Sequence, residues 1–436
     1  MATKDIDLLK ILSDQKDELT AIDTDALVGR KEEALVDLDS KLAQVVIGMR
    51  RSGKSTLCLQ KLLHSGVNFA YVNFDDERLT GLKTGQLDDI LQALFRLNGS
   101  FTHIFLDEVQ NIKAWPLFVN RLLRQGLRIV LSGSNANLLS SELATHLTGR
   151  YHQIELFPFS FAECCRAKGI DVRSMSTKAD ALRMRHLDTY LQEGGFPETL
   201  EMGNTPGYTL SLLNAIVNKD ICKRYKVKYK ETLWKLANII LDRFCQETSS
   251  LELARELSIS SSHTVENYLS YLTNAYLVHP VHKYSFKSDE RKTNTKYYAA
   301  DMAFVSNHDD VLQSQNLGWR LENIVFCELR RRINPEWQNI YYMKKSRDFE
   351  VDFVVTDRTH IQELIQVTYD FREPSAKLYN REVGGLLKAA ELTRCKKLTL
   401  IVMEGTAGEI SAGDTTVNIV RATDWLLTDC PYPNAM

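Results

Sequence analysis

The chain has 436 residues, 44% of them apolar and 25% charged, and a formal net charge of −2. That length exceeds one ordinary domain, and the mixed composition is that of a globular chain. The near-zero charge excludes a uniformly basic nucleic-acid binder, the lack of an apolar run of bilayer length excludes a membrane-spanning helix, and eight scattered cysteines without a C-x-x-C pair exclude a disulfide frame.

The opening MATKDIDLLK has no apolar core, so the reading is a cytoplasmic protein with reduced thiols and no membrane association. Residues 1–40 interleave acids with leucines and read as a helical segment. An α/β core is expected over 41–158. Within it, Val45-Val46-Ile47 reads as a strand, and Gly48-x-x-x-x-Gly53-Lys54-Ser55 follows as a P-loop. The two glycines let main-chain N–H groups curl toward phosphate oxygens, and the next helix turns its positive end to the same anion. Gly48, Arg51, Ser52, Gly53, Lys54, Ser55 and Thr56 are the nucleotide-binding candidates, with ATP and Mg2+ as cofactors. Lys54 is expected along the β- and γ-phosphates and Ser55 on the metal.

Ile104-Phe105-Leu106 reads as a second buried strand ending in Asp107 and Glu108. Asp107 is assigned to the metal and Glu108 to polarising the attacking water. A third strand, LRIVLSGSNANLL, ends in Ser132, Ser134 and Asn135. Each is short and polar enough to sense a γ-phosphate. Spacing does not choose among them, and Ser134 is carried as the site residue. Arg150 falls in a turn after a short helix. It either reaches a neighbouring subunit's nucleotide or caps its own helix.

A helical region is expected over 159–217, broken at Gly194-Gly195 and Pro197. Over 218–300 a basic segment leads into a helix-turn-helix and wing. From Lys219 to Lys235 there are seven Lys/Arg against two acids, with Tyr225 and Tyr229 among them. Phosphate contacts and base stacking suit such a surface, as does a plain solvated helix face. Lys226, Lys228 and Lys230 are the DNA candidates here. In SSLELARELSISSSHTVENYLSYL two apolar stripes flank a short turn, and the second helix, from near Ser260, presents Ser261, Ser262, His263 and Asn267. Lys283, Lys287, Arg291, Lys292 and Lys296 fall on the wing. Residues 301–436 form another α/β region, in which Glu350 and Asp352 share one strand face and Gln366 and Thr368 another.

Taken together, GMRRSGKST, IFLDEVQ, SGSNANLLSSELATHLTGRY, GGFPE, KYYAADMAF, RLENIVFCELRRR and FEVDFVV resemble a large group of predicted bacterial and archaeal AAA-type ATPases. These join the ATPase core to a C-terminal domain of uncharacterised function. The resemblance implies an α/β fold with four parts: an AAA-type P-loop ATPase core, a helical lid, a winged helix-turn-helix, and a C-terminal restriction-endonuclease-like domain. It also implies roles for Lys54, Ser55, Asp107, Glu108 and Arg150. Glu322 and Asp352 match two acids of the endonuclease-like pattern. Gln366-Val367-Thr368 stands where Glu-x-Lys belongs, so no nuclease activity is expected unless Lys344 or Lys345 reaches in. The expected function is an oligomeric ATPase, with a hexamer as the candidate assembly, that hydrolyses ATP and binds or remodels duplex or branched DNA. A signal-type NTPase switch with protein-interaction modules and an ATP-dependent nuclease are the alternatives.

Overall fold

The computed structural model describes residues 7–134, 147, 149–202, 206–285, 294–306, 316–345, 348–358 and 360–428. Two compact units divide the chain, Met1–Pro158 with Asn274–Tyr276, and Phe159–Thr273 with Leu277–Met436.

In the first unit the apolar runs become a parallel sheet. Its strands are β1 (Ala43–Gly48), β2 (Phe69–Asn73), β3 (His103–Asp107), β4 (Arg128–Gly133) and β5 (Tyr151–Leu156), in the order β2-β3-β4-β1-β5. β1 and β3 are buried at every residue, as befits strands covered on both faces. Val46, Phe105, Val130 and Ile154 pack with Leu57 and Leu62 of the helix Lys54–Ser65. This order sets the carboxyl ends of β3, β4 and β1 side by side, where open α/β sheets bind ligands. Gly48 has φ +143°, and a Cβ there would lie 2.1 Å from the Leu156 carbonyl oxygen. The close approach of β5 therefore demands glycine, as well as the curl of the loop.

The N-terminal segment reduces to the helix Leu8–Thr20 and two short 3-10 turns, Thr24–Ala26 and Lys31–Leu35. The helix is fastened to the end of β2. Gln15 Nε2 donates to the Asn73 carbonyl at 3.1 Å, and Asn73 N donates back to Gln15 Oε1 at 3.0 Å.

The second unit opens with helices Phe161–Ala167, Thr177–Glu193, Pro197–Met202 and Pro206–Ala215. The break read from GGFPE is real, and sterics explain it. A Cβ on Gly194 would meet Asp301 at 1.7 Å, and one on Gly195 would meet the Phe159 carbonyl at 2.2 Å. A π-helix, Ile216–Lys223, and the helix Lys230–Asp242 follow. Helices Ser250–Glu256 and Ser262–Asn274 come next, with β6 (Glu247–Thr248), β7 (Val278–His282) and β8 (Thr295–Ala299) in an antiparallel sheet ordered β6-β8-β7. The second of these helices starts at Ser262 rather than near Ser260. Ser258, at φ +55°, ends the preceding turn, and the Ile259 amide closes back onto the Ala254 carbonyl at 2.8 Å.

A mixed six-stranded sheet completes the unit. It comprises β9 (Gln338–Lys345), β10 (Phe349–Asp357), β11 (His360–Asp370), β12 (Leu398–Glu404), β13 (Gly408–Ala412) and β14 (Thr415–Arg421), in the order β13-β14-β12-β11-β10-β9. The helix Ala376–Thr393 covers one stretch of it through Val383 and Leu386, against Val351, Val354, Leu364 and Leu398. The helix Leu317–Arg332 also packs against β11.

Candidate functional site

The P-loop curls out of β1 with Arg51 at φ +67° and Gly53 at φ +91°. Lys54 is buried, and its ammonium donates to the Met49 carbonyl at 2.7 Å. The Ser52 hydroxyl is buried with no hydrogen-bond partner among the described residues. A buried lysine and an orphaned hydroxyl in a glycine loop suit a phosphate oxygen. Arg51 and Thr56 stand exposed at the rim. Ser55 Oγ donates to Asp107 Oδ1 at 2.8 Å, so the two residues assigned to the metal already touch. Ser132 also donates to Asp107 Oδ1, and its Oγ accepts from the Glu108 amide at 3.1 Å. Burial pushes the Asp107 carboxyl above its ordinary range. The hydrogen bonds from Ser132 and Ser55 and the charge of Lys54 oppose that rise, while Glu108 adds to it. A divalent cation would offset the same burial.

Glu108 turns off the strand at φ +49°. Its carboxylate accepts from Ser134 Oγ at 3.3 Å and from the Gln110 amide. The two serines thus part company: Ser132 serves Asp107 and Ser134 serves Glu108. Asn135 lies outside the described residues. The sequence reading missed Gln110, and it missed Arg30, which donates to the Ser52 carbonyl at 3.2 Å and the Phe157 carbonyl at 2.8 Å. It missed Tyr71 as well, whose hydroxyl lies 3.4 Å from Asp107 Oδ2.

Arg150 does not join this cluster. Its carbonyl accepts from the Ala43 amide at 2.9 Å, at the start of β1, and its guanidinium donates to Asn120 Oδ1 at 3.3 Å. Gly48 pairs with Leu156 in register. Six residue steps of strand, about 20 Å, therefore separate Arg150 from the loop end of the sheet.

In the second unit, Lys219, Lys223, Lys226, Lys228, Tyr229 and Lys230 are exposed on the basic segment. His263 is exposed on its helix and paired with Glu266 at 3.2 Å. Lys283 is half-buried, and Lys287, Arg291 and Lys292 lie outside the described residues. Lys296 is a correction, because it is not an exposed wing residue. It is 3% exposed, with Nζ 3.0 Å from Glu350, 3.3 Å from Glu322 and 4.0 Å from Asp352. Lys296 and Tyr298 point to one face of β8, and both reach Glu322 Oε1.

Lys296, Glu322, Glu350 and Asp352 line a cleft of about 670 Å³ that also takes in Gln366, Thr368 and Glu382. Gln366 Nε2 donates to Glu382 at 2.7 Å, while its Oε1 accepts from the Asp352 amide at 3.2 Å. The sequence reading did not single out Glu382. Burial opposes the charge on Lys296, but the carboxylates of Glu322, Asp352 and Glu350 outweigh it and hold the ammonium well above its usual range. Burial and Glu322 in turn push Asp352 well up, against the pull of Lys296. Lys344 lines the same cleft and pairs with Glu247 and Glu350, whereas Lys345 is exposed and pairs with Asp348. Among the described residues no group of three or more His, Cys, Asp or Glu is disposed to hold a metal ion, and no helix is long and apolar enough to cross a membrane.

Residues 40–165 match the family described as an AAA domain, and residues 184–315 match a domain of unknown function (DUF8612). An uncharacterized protein of Methanocaldococcus jannaschii, MJ1544, is 30% identical over 416 residues, covering 92% of each chain. An uncharacterized protein of Haemophilus influenzae is 30% identical over 404 residues, covering 89% of this chain and 95% of that one. Among solved structures, the Walker-type ATPase PABY2304 of Pyrococcus abyssi aligns at 15% identity with a TM-score of 0.40, over 65% of this chain and 96% of that one. The chain belongs to the same family as the Methanocaldococcus jannaschii protein, and through residues 40–165 it is a P-loop ATPase of the AAA type.

Proposed function

We propose that this chain hydrolyses ATP, with Mg2+, to bind and remodel DNA as an oligomer. The observation that carries the hydrolytic part is the clasp on Glu108. Gln110 and Ser134 orient its carboxylate beside the Asp107–Ser55 pair. Bound nucleotide and Mg2+ supply the phosphoryl group and the cation that offsets its charge. Lys54, Ser52 and the loop amides would hold phosphate oxygens, and Ser55 and Asp107 would hold the metal's shell. Glu108 takes up a proton from water, with Gln110 and Ser134 fixing which oxygen faces it. Arg150 lies too far from its own loop to act there, which leaves a role toward a neighbouring subunit or a local one through Asn120.

The second unit supports the DNA part. The order of helices Ser250–Glu256 and Ser262–Asn274 and the antiparallel sheet suits a winged helix, and the adjoining lysines suit phosphates. DNA is expected to stimulate hydrolysis. Changing Lys226, Lys228 and Lys230 together to Ala is expected to weaken DNA binding for all sequences alike, flattening the salt slope by up to about 1 per lost phosphate contact. An unchanged slope and unstimulated turnover would return this segment to a solvated face.

Lys296 favours a second reading, an ATP-dependent nuclease. It brings to Glu322 and Asp352 the cation that Gln366-Val367-Thr368 lacks. Incubation with ATP, Mg2+ or Mn2+, and linear, forked and four-way DNA decides. Cleavage lost in Asp352→Ala establishes the nuclease, its loss in Lys54→Ala as well makes it ATP-dependent, and no cleavage by the parent removes it.

A further inference from the structure

The two tyrosines of the basic segment have opposite surroundings. The π-helix Ile216–Lys223 stops just before Lys226, which takes φ +49°, and the Val227 amide closes onto the Cys222 carbonyl at 3.1 Å. Val227 is buried and anchors the turn. Tyr225 lies flat on Tyr271 of the helix Ser262–Asn274, with ring centroids 3.9 Å apart and planes 10° from parallel. That stack ties the turn to the helix and occupies the Tyr225 ring. Tyr229 instead is 57% exposed, and the Lys228 ammonium stands 5.2 Å from its ring centroid.

The helix Ser262–Asn274 contains no lysine or arginine, and its His263 is engaged by Glu266. That helix therefore supplies no lysine or arginine to a phosphate backbone, whereas the turn and its flanks supply four lysines. An exposed ring on a rigid turn, set among Lys223, Lys226, Lys228 and Lys230, has the elements of a single-strand binding platform. Every base offers a π-face to such a ring, and the lysines meet the flanking phosphates. A paired, stacked duplex keeps those base faces covered.

We propose that Tyr229 is a stacking platform for an unpaired DNA base, so that the second unit takes single-stranded DNA, or the single-stranded part of a fork, in preference to duplex. This rests on the DNA-binding reading above. The test measures binding of the full chain to fluorescein-labelled oligothymidylate and to a duplex of the same length, by anisotropy across a salt series. Tyr229→Ala is expected to weaken single-strand binding by about 5- to 150-fold, the span of base stacking on alanine substitution, with the salt slope and duplex affinity unchanged. Tyr229→Phe, which keeps the ring, is expected to bind as the parent does. If Tyr229→Ala binds oligothymidylate like the parent while the triple lysine variant loses both probes, the platform is wrong and DNA binding stands. If the parent binds neither probe, both fall together.

Discussion

Each unit buries a lysine, and the two are used in opposite ways. Lys54 is 4% exposed and Lys296 is 3% exposed, so burial alone does not separate them. Their neighbours do. Lys54 donates to a neutral main-chain carbonyl, in a loop that also holds an orphaned hydroxyl. Lys296 lies among Glu350, Glu322 and Asp352, with the Tyr342 ring centroid 5.3 Å away. Taking an ammonium out of water costs several kcal/mol unless its charge is met nearby. For Lys296 the fold meets it with three carboxylates. The Lys54 bond to a carbonyl can be exchanged for one to a phosphate oxygen. The charge of the partner, rather than the depth of burial, distinguishes the two lysines.

The largest expected effect follows on the Lys54 side. Lys54→Ala is expected to abolish nucleotide binding or turnover while leaving the urea midpoint near that of the parent. Glu108→Gln is expected to keep nucleotide bound and slow hydrolysis by about 10²- to 10⁴-fold, the usual worth of a positioned base. Nucleotide filter binding and a phosphate-release assay read the two apart. Hydrolysis by Glu108→Gln at the parent rate would move the base elsewhere.

The second effect lies on the other side and is one of stability. Lys296→Met leaves Glu322 and Asp352 without their cation, and Glu350 with Lys344 alone. Breaking a buried pair from one side costs about 3–5 kcal/mol, so denaturant unfolding should begin far earlier while nucleotide binding by the first unit persists. Should Lys296→Met prove as stable as the parent, and Lys54→Ala strongly destabilised, the contrast between the two lysines would be reversed.

How legible these sites are in the sequence follows from how they are built. The nucleotide loop lies within a few consecutive residues, and its partner acids end a plainly apolar strand, so Lys54, Ser55, Asp107 and Glu108 can be named from spacing. Gln110 cannot, because its approach to Glu108 depends on the left-handed turn at Glu108 itself. Arg30 lies well before the loop and reaches it only through the tertiary fold. The cleft draws on seven separate elements. Strand alternation pairs Glu350 with Asp352, but Lys296 closes a run of lysines that reads as a wing. One signal was available. Lys296 shares the strand period of Tyr298, and a tyrosine in KYYAADMAF is a better marker of an inward face than the charges around it.

A third buried charge sharpens the comparison with a smaller effect. Asp301 is about as buried as the lysines, at 5% exposure, yet main-chain groups hold it, as one holds Lys54. The Gly195 and Ala303 amides donate to its two oxygens at 2.8 and 2.9 Å. Burial pushes its carboxyl from 3.8 up to about 6, against those amides and the charge of Arg331. The folded state therefore holds this proton more tightly than the unfolded chain does. Its contribution to stability is complete below the unfolded value and is lost as pH rises through about 6, by about 3 kcal/mol in all. Asp301→Asn cannot ionise, so it should remove that part of the decline between about pH 4 and pH 7. The variant keeps one carbonyl for two amides and should be less stable than the parent at the acid end, so the slope rather than the absolute midpoint is the readout. Parallel slopes for parent and variant would mean that the two amides meet the Asp301 charge in full, and that main-chain partners serve a buried carboxylate as well as an ion pair serves Lys296.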